Sequence, residues 1–555
     1  MTVPSEAAKK ALRKTLRDTF GYTRLRAGQE EVIASVMQHK DTLAVMPTGA
    51  GKSLCYQLPA LHLPGMTIVV SPLISLMKDQ VDKLHEAGVS AVEVNSTLNA
   101  REEKAALESI RKGKTEMVFT TPERLADPAF VKLFEGKKLD LFVIDEAHCI
   151  SQWGHDFRPA FLEIANAMRA LGNPAVLALT ATATSQVIED IGKQLERKLA
   201  VINTGIYRAN LHFRVVHATN DEEKTAHVIR LAKGLKGSGI VYTATVKNAD
   251  ALYEALIAAG VSAGRYHGRM RGKDREETQD DFMAGRCRIM VATNAFGLGI
   301  DKPDIRFVIH YQIPGTLESY YQESGRAGRD GQPARCILLY DTRDKRVQQF
   351  FIGGRYPDGD DVAQAYKALE KLQESEGPAG YERLQEETPG LAGNKLKVAL
   401  KLLKDSGYAK QDRSLRYRLV ESLGERQALA RLADEYGRKG ESDRQKLERM
   451  IFYAQSAFCR WKVLLEYFEE AEDFDRCGTC DNCMDPPELR LAPKTTRPKW
   501  ARRLAASAPL FKNGERVRVP RYGEGRVESV TSEQVEIVFP DGRKRQFLSA
   551  YVERV

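Results

Sequence analysis

Two adjacent carboxylates, Asp145 and Glu146, form the pair in this chain best placed to do chemistry. They follow the apolar run 139–144, which is the pattern of a strand buried on both faces of a parallel sheet. Catalytic groups are presented at the C-terminal edge of such a sheet. His148 completes the motif Asp-Glu-Ala-His. Alone this motif is a weak signal, because a buried strand followed by a packed loop explains it equally well.

A glycine-bearing loop at 47–53, Pro-Thr-Gly-Ala-Gly-Lys-Ser, follows an apolar strand and precedes a helix. Glycines in that context let backbone N–H groups close around a phosphate, and the alternative is a chance glycine turn. Lys52 would reach the outer phosphates, and Ser53 would offer its hydroxyl to Mg²⁺. The full phosphate-loop pattern has glycine six residues before the lysine, where this chain has Met46. The candidate nucleotide-binding residues are Thr48, Gly49, Gly51, Lys52 and Ser53.

The loop gives the acid pair a partner. Phosphate-loop enzymes hold Mg²⁺ between the loop hydroxyl and an acid at the end of a later strand, so Asp145 takes that part and Glu146 is placed to polarise the attacking water. Polar residues at other strand ends are candidates for contacting a nucleic-acid strand or coupling it to the acids; helix capping and solvated charge are the simpler alternatives. They are Ser71, Lys78, Thr121, Arg124, Thr180 and Thr293.

Aromatic and basic residues interleave just after the acid pair. Such a mixture suits stacking on bases and holding phosphates, although a loop whose aromatics merely pack would look similar. The candidates for coupling nucleic acid to the acids are His148, Gln152, Trp153, His155, Phe157 and Arg158.

A second α/β half begins near residue 210 and has no second phosphate loop. It carries Arg326 and Arg329, whose spacing predicts one helical face next to permissive glycines. Guanidinium groups stabilise the charge on a transferring phosphoryl group, so this half predicts an ATP site between two domains. A surface helix with ordinary arginines is the alternative.

Composition sets outer limits on the architecture. A chain of 555 residues is too long for one core and predicts roughly three to five domains. The formal charge of +9 permits a polyanionic partner without requiring one. The sequence has no apolar stretch long enough to cross a membrane, and its N-terminus lacks the apolar core of a signal peptide. Four cysteines are scattered singly, as small buried hydrophobes in a reducing cytoplasm would be: Cys55, Cys149, Cys287 and Cys336.

Three helical stretches and a short β-hairpin around Arg413 follow the second half, which is the composition of a winged helix. Lys395, Lys397 and Lys401 make its third helix basic, and contact with phosphate or packing against protein are equally compatible with that charge.

Four further cysteines are grouped. Cys459 lies in a predicted helical region at 425–470, and Cys477, Cys480 and Cys483 form a Cys-x-x-Cys-x-x-Cys run. Four thiolates are the ligand set of a closed structural zinc site, with an iron–sulfur cluster as the alternative. A linker bearing Pro, Ala and Arg and then short alternating strands with glycine turns complete the chain, which predicts a small C-terminal β-barrel.

Taken together and in order, these motifs resemble the RecQ family of superfamily-two DNA helicases. The resemblance covers about 20–340 and rests on FGYTRLRAGQ, MPTGAGKS, DEAH, SQWGHDFRPAF, LALTATAT, VATNAFGLGIDKP and QESGRAGRDG. It implies that Gln29 reads the adenine edge with support from Tyr22 and Arg26, and that the motor moves 3′ to 5′ along single strands.

The later modules carry resemblances of their own. FCRWKVLLEYFEE and CGTCDNC resemble the RecQ zinc module, which favours zinc over an iron–sulfur cluster. In typical RecQ proteins that module follows the motor directly and the winged helix comes after it, whereas here the order is reversed. KNGERVRVPRYGEGRV resembles the Tudor-like tail of UvrD-type helicases, which implies a protein partner, RNA polymerase or a repair factor.

The predicted fold class is α/β, with two RecA-like parallel-sheet motor domains followed by smaller modules. The predicted domains are motor domain 1 at 1–208, motor domain 2 at 209–350, a winged-helix-like domain at 351–422, a helical zinc module at 423–486, a linker at 487–508 and a Tudor- or SH3-like barrel at 509–555.

The predicted function is an ATP-dependent 3′-5′ DNA helicase in repair or recombination, with Lys52, Asp145, Glu146, Arg326 and Arg329 catalytic. The predicted cofactors are ATP, Mg²⁺ and structural Zn²⁺, and the predicted partners are single-stranded and tailed duplex DNA. A monomer in the bacterial cytoplasm, associated with the nucleoid, is expected. The alternatives are a DNA-stimulated translocase with little unwinding and a DNA-binding scaffold with a weak motor.

Trp153 offers a direct test of coupling. We predict that Trp153→Ala leaves ATP binding intact but weakens DNA-stimulated hydrolysis, because the ring would report strand occupancy to Asp145 and Glu146. Titrating single-stranded DNA into an ATPase assay measures this, and undiminished stimulation would contradict it.

Overall fold

The computed structural model describes residues 6–151, 153–154, 158–297, 300, 302–354, 356–412, 416–420, 426–470, 474–486, 511–519, 522–530, 534–548 and 552–555. Within them the chain divides into two compact units. The first contains 1–312, 318–339 and 453–555, and the second contains 313–317 and 340–452.

The first domain is built on a seven-stranded, all-parallel sheet in the order β3-β4-β2-β5-β6-β1-β7. Its strands are β1 (Thr42–Val45), β2 (Met66–Val70), β3 (Ala91–Val94), β4 (Met117–Thr120), β5 (Leu139–Ile144), β6 (Ala175–Thr180) and β7 (Ala200–Asn203). Its helices are α1 (Glu6–Asp18), α2 (Gln29–Met37), α3 (Leu54–Ala60), α4 (Ile74–Glu86), α5 (Ala100–Arg111), α6 (Pro122–Leu125), α7 (Pro128–Val131), α8 (Ile164–Ala170) and α9 (Ser185–Gln194).

The central strands of this sheet are buried on both faces. Residues 141–144 of β5 and all of β1, β2 and β4 are buried, and two apolar cores lie on the two sides of the sheet. The prediction of a doubly covered parallel sheet from unbroken apolar runs is therefore confirmed. In the strand order, β6 lies between β5 and β1, and Val45 at the end of β1 is paired with Thr180 at the end of β6. The phosphate loop and the acid pair thus leave the same edge of the sheet two strands apart.

The second domain repeats the architecture with a six-stranded sheet in the order β10-β11-β9-β12-β13-β8. Its strands are β8 (Leu211–His217), β9 (Ser238–Tyr242), β10 (Ala263–Tyr266), β11 (Ile289–Ala292), β12 (Ile305–His310) and β13 (Ala334–Tyr340). Its helices are α10 (Asp221–Gly234), α11 (Val246–Ala258), α12 (Gly272–Met283) and α13 (Leu317–Ser324). In the part of the sheet with the order β10-β11-β9-β12-β13, each pair of neighbouring strands is parallel.

The second compact unit is mainly helical. Its helices are α14 (Asp344–Gly353), α15 (Gly359–Ser375), α16 (Tyr381–Glu387), α17 (Gly393–Asp405) and most of α18 (Arg426–Gln455), with a hairpin of β14 (Ala409–Gln411) and β15 (Tyr417–Leu419). Three of these helices and the hairpin share one apolar core, which is the composition of a winged helix. The Nζ of Lys395 lies 2.6 Å from Asp361, so this lysine is engaged within the unit.

The cysteine-bearing region follows in the first unit and contains α19 (Arg460–Tyr467) and α20 (Asp481–Met484). The prediction that Cys459 lies inside a helix is wrong. The helical stretch breaks after Gln455, and Cys459 precedes the first residue of α19, which leaves its side chain free to turn toward the other cysteines.

This region packs against the motor at several points. The indole Nε1 of Trp461 donates to the carbonyl of Leu211 at 3.1 Å, and a carboxylate oxygen of Asp481 accepts from the Val215 amide at 2.8 Å. Glu469 accepts from the Ser185 amide at 3.0 Å, and Glu470 accepts from the Ile206 amide at 2.7 Å.

The chain ends in a five-stranded antiparallel sheet with a core of its own, in the order β19-β18-β17-β16-β20. Its strands are β16 (Arg516–Val519), β17 (Gly523–Val530), β18 (Gln534–Val538), β19 (Lys544–Leu548) and β20 (Glu553–Arg554). Throughout the described ranges, each helix is too short or too polar to span a bilayer.

Gly239 in β9 tests the packing of the second sheet. A Cβ at this position would lie 2.0 Å from the ring of Phe307, so Gly239→Ala should destabilise the protein by about 1–3 kcal/mol through overpacking. The thermal unfolding midpoint should fall. Gly234→Ala is the matched control, because its Cβ meets nothing within 4 Å, and it should leave the midpoint unchanged or slightly raised. Equal midpoints for the two variants would contradict the packing described here.

Candidate functional site

The phosphate loop has the shape that its glycines predict. Gly49 and Gly51 have φ values of 86° and 81°, the left-handed region that other residues enter at a cost. The loop therefore turns sharply after β1 and delivers Ser53 to the start of α3. The Nζ of Lys52 lies 3.4 Å from the carbonyl of Met46, at the base of the loop.

Two residues at the start of α2 and just before it hold this loop from outside. The side chain of Gln29 donates to the carbonyls of Ala50 at 3.0 Å and Gly51 at 2.9 Å, and it accepts from the Arg26 amide at 2.7 Å. The guanidinium of Arg26 donates to the carbonyl of Gly49. Tyr22 is 54% exposed as a whole residue, and it lines the cavity beside the loop, where a planar ligand has access to it. The three residues predicted to read adenine are thus connected to the loop predicted to hold phosphate.

The acid pair sits in a strained turn. Glu146 has φ 52° and ψ 48°, a left-handed conformation that is uncommon for a residue other than glycine and is enriched at functional sites. Burial and the charge of Glu146 raise the pKa of Asp145 to about 7, against the lowering effect of Lys52. A carboxylate in this position is stabilised by a further cation, so the donor set fits a Mg²⁺ ion.

His148 connects the acid pair to the neighbouring strand. It is buried, and its Nδ1 lies 3.3 Å from a carboxylate oxygen of Glu146 and 3.1 Å from the hydroxyl of Thr180. The Thr180 hydroxyl in turn donates to the carbonyl of Thr182 at 2.9 Å. Thr180 is therefore part of a polar chain that begins at the acids.

The described part of the aromatic-rich loop is anchored to two other segments. The Ser151 hydroxyl donates to Asp190 at 2.7 Å and accepts from the Trp153 amide at 3.1 Å. The guanidinium of Arg158 donates to the carbonyl of Pro72 at 3.1 Å. Trp153 is partly buried against the core of the first domain. Gln152, His155 and Phe157 lie outside the described residues.

The arginine pair occupies a turn. The prediction that Arg326 and Arg329 share a helical face is wrong, because α13 ends at Ser324 and Gly328, with φ 59°, lies within the turn between them. Arg326 is buried and donates to the carbonyl of Gly297. A Cβ on Gly49 would lie 3.1 Å from the Cγ of Arg329, so Arg329 directly adjoins the phosphate loop.

The phosphate loop, the residues that hold it, the acid pair and the arginine pair line one cavity of about 800 Å³. Its wall includes Tyr22, Arg26, Gln29, Thr48, Gly49, Gly51, Lys52, Ser53, Asp145, Glu146, Arg326 and Arg329. Loop amides, a lysine, an acid pair and two arginines facing one space of this size can hold a nucleoside triphosphate and stabilise charge on its terminal phosphate.

The other residues predicted to contact a nucleic-acid strand differ in how exposed they are and in what they are bonded to. Lys78 is exposed, whereas Ser71, Thr121 and Thr293 are buried at strand ends. Thr121 accepts from the Arg124 amide at 3.4 Å and caps α6. The guanidinium of Arg124 is paired with Glu103 and lies 5.5 Å from the centre of the Phe130 ring. Their contact with a nucleic acid stays a prediction.

Arg208 and Asn210 were not singled out by sequence patterns. The guanidinium of Arg208 donates to the carbonyl of Thr48 at 3.1 Å. It also donates to three carbonyls of the turn that carries Arg326 and Arg329. The amide of Asn210 donates to Gly328 and Gln332. Both residues lie in the irregular segment between the two sheets, where no periodicity or motif marks them.

The four grouped cysteines converge. Their sulfur atoms all lie within 4.8 Å of one another, and the Sγ atoms of Cys477 and Cys483 are 3.9 Å apart. Tetrahedral zinc with Zn–S bonds of about 2.3 Å places its sulfurs roughly 3.8 Å apart. In an iron–sulfur cluster the thiolates bind different irons and lie farther apart, so this geometry fits a single ion.

Amide groups surround the sulfurs. The amides of Cys477 and Arg460 donate to the sulfurs of Cys459 at 3.3 Å and Cys480 at 3.4 Å. Hydrogen bonds from Cys459, Cys480 and Cys483 lower the pKa of the Cys477 thiol, whereas hydrogen bonds with Cys459 and Cys477 raise the pKa of the Cys480 and Cys483 thiols. Cys477 is thus the thiol of these three that most readily becomes a thiolate.

Removing one sulfur tests the metal centre. We expect Cys480→Ser to reduce bound zinc from about one ion per chain to a small fraction, because a closed structural site needs all four ligands. Cys287→Ser removes a buried sulfur in the second motor domain and should leave zinc unchanged. Elemental analysis for zinc and iron measures both, and iron in the intact chain would contradict the zinc assignment.

Comparison with known families matches three parts of the chain. Residues 26–191 match the DEAD/DEAH box helicase family, residues 223–331 the helicase conserved C-terminal domain, and residues 410–484 the RecQ zinc-binding domain.

Individual proteins extend these matches. The ATP-dependent DNA helicase RecQ of Bacillus subtilis is 40% identical over 481 residues, which cover 86% of this chain and 67% of that protein. The probable ATP-dependent DNA helicase RecS of the same organism is 37% identical over 477 residues, covering 85% of this chain and 92% of that protein.

Solved structures share the fold. The Mycobacterium smegmatis helicase Lhr bound to single-stranded DNA and AMP-PNP has a TM-score of 0.53 at 18% identity, covering 76% of this chain and 61% of that one. S. cerevisiae Dbp5 bound to RNA and ADP BeF3 has a TM-score of 0.51 at 21% identity, covering 61% of this chain and 90% of that one. The family matches and the two Bacillus subtilis relatives show that the chain belongs to the RecQ family of ATP-dependent DNA helicases.

Proposed function

We propose that this protein is an ATP-dependent helicase that translocates 3′ to 5′ on single-stranded DNA and unwinds duplex DNA during repair or recombination. The observation that carries the proposal is the single cavity lined by the phosphate loop, the acid pair and the two arginines. A cavity shared by two domains lets hydrolysis change how those domains fit together, which is the basis of a motor.

Within this proposal, each residue of the cavity has a defined part. Lys52 and Ser53 hold the triphosphate. Ser53 and Asp145 would hold a Mg²⁺ ion, which would neutralise charge on the phosphates. Glu146 orients the attacking water and polarises it. Arg326 and Arg329 stabilise the charge that builds up on the terminal phosphate. Gln29, Arg26 and Tyr22 select the base and stay connected to the loop.

Coupling to DNA uses the polar chain behind the acids. Glu146, His148 and Thr180 are linked, and Ser151 connects the start of the aromatic-rich loop to Asp190. A strand stacked on Trp153 would shift this segment and change the position of Glu146. Hydrolysis therefore accelerates when DNA is bound, and the domains step along the strand as the cavity opens and closes.

Duplexes with a single-stranded tail of one polarity test the proposal. With ATP and Mg²⁺, the protein should displace a strand from a 3′-tailed duplex and leave a 5′-tailed duplex intact. Glu146→Gln is the control, and it should lower hydrolysis by about 10²–10⁴-fold while ATP still binds. Truncation before Phe511 shows whether the C-terminal barrel contributes to unwinding or serves another role, such as binding a protein partner.

The alternatives give different results in the same assays. DNA-stimulated hydrolysis without strand displacement would favour a translocase with little unwinding. Hydrolysis that DNA does not stimulate would favour a binding scaffold with a weak motor. Displacement from the 5′-tailed duplex alone would overturn the proposed polarity.

A further inference from the structure

Arg208 contacts both sides of the nucleotide cavity. It lies in the segment between β7 and β8, which connects the two sheets of the motor. One terminal nitrogen donates to the carbonyl of Thr48 in the phosphate loop at 3.1 Å and to the carbonyl of Gly325 at 2.7 Å. The other donates to the carbonyls of Ala327 at 2.8 Å and Gly328 at 2.6 Å.

The other three carbonyls that accept from Arg208 belong to the arginine turn, which consists of residues 325–329. This turn follows the last residue of α13, where backbone carbonyls have no partner within the helix and the helix dipole is negative. A guanidinium suits the site because it presents several donors in one plane, which the single ammonium of lysine cannot match. Burial is the largest cause of the lowered pKa of Arg208, and the four carbonyls offset the cost of its desolvation.

We propose that Arg208 is a positioning residue for ATP hydrolysis: it fixes the distance between the phosphate loop and the arginine turn, and through that turn it places Arg326 and Arg329 against the terminal phosphate. The inference rests on the roles proposed above for Lys52 and the two arginines. It assigns to the connecting segment a part in catalysis beyond joining the two domains.

Other side-chain hydrogen bonds to the arginine turn, or to the residues just after it, do not reach the phosphate loop. Asn210 donates to Gly328 at 2.8 Å and to Gln332 at 2.9 Å, and Arg306 pairs with Asp330 at 2.6 Å. These partners all belong to the second motor domain, so they can order the turn within that domain. Among the described side chains that hold the turn by hydrogen bonds, Arg208 is the one that also donates to Thr48.

The first experiment compares Arg208→Lys with Asn210→Ala in the full-length, zinc-loaded protein. We expect Arg208→Lys to lower kcat for DNA-stimulated ATP hydrolysis by about 10- to 100-fold, because small misplacements of catalytic groups have effects of that size. The affinity for ATP, measured by binding of a fluorescent analogue, should change less than about threefold, because the residues that hold the base and the loop are intact. Asn210→Ala should have the smaller effect on kcat.

A second experiment asks whether the effect passes through the arginines. In an Arg329→Ala background, Arg208→Lys should lower kcat by a clearly smaller factor than in the unmodified protein, because residues acting through one another give non-additive losses and only the part that passes through Arg326 is left. Gly325→Ala offers an independent route, since its Cβ would lie 3.1 Å from the Cβ of Thr48 and push the two segments apart. It should lower kcat without removing any charge, and it replaces Arg208→Lys if that variant does not fold.

The outcomes separate this inference from the function on which it rests. An unmodified protein that hydrolyses no ATP would contradict the proposed function itself. An active protein would overturn the role of Arg208 under any of three results: unchanged kcat in both Arg208→Lys and Gly325→Ala, an equal loss in Asn210→Ala, or fully additive losses with Arg329→Ala.

Discussion

The burial of Asp145 beside Glu146 is the constraint on which the motor depends. Burial deprives Asp145 of water and the neighbouring charge of Glu146 repels its own, so the pKa of Asp145 rises to about 7. Bringing a polyphosphate to the same place adds further negative charge. Positive groups around the cavity offset this negative charge. They are Lys52 from the first domain and the two arginines from the second, and the acid pair also offers a site suited to a metal ion. The arrangement of two domains around one cavity is the way this chain gathers enough positive charge at one point.

Much of this organisation could be predicted from local sequence. Unbroken apolar runs gave the strands of both sheets, and glycines beside a lysine gave the phosphate loop, because both patterns reflect short-range requirements. The helical placement of Arg326 and Arg329 failed because spacing alone does not reveal that a helix ends at Ser324. The prediction that Cys459 lies inside a helix was wrong for the same reason, because the sequence does not show where the helix breaks. Arg208 had no local signature at all, since its four carbonyl partners lie far away in sequence.

Charge in the sequence does not by itself decide which cations are available to nucleic acid. Arg124 and Lys395 both looked like phosphate-binding cations in the sequence, yet each is paired with a carboxylate of its own unit. A sequence shows that a cationic side chain is present, but it does not show whether a carboxylate from another element forms an ion pair with it. His148 gains a clearer interpretation from the fold, because its ring contacts Glu146 of the acid pair. The Trp153 amide donates to the Ser151 hydroxyl, and the Ser151 amide donates to the carbonyl of His148.

The cysteine-bearing region touches the first motor domain through Glu469, the connecting segment through Glu470, and the second motor domain through Asp481. A module seated on both domains experiences any change in their mutual arrangement. Thermodynamic linkage is reciprocal. If zinc binding stabilises one arrangement of the two domains, then nucleotide or DNA that favours the same arrangement must tighten the binding of zinc by the same factor. A metal ion bound by the four cysteines would then be linked to the motor as well as supporting the fold, and its retention would depend on the nucleotide or DNA that the motor holds.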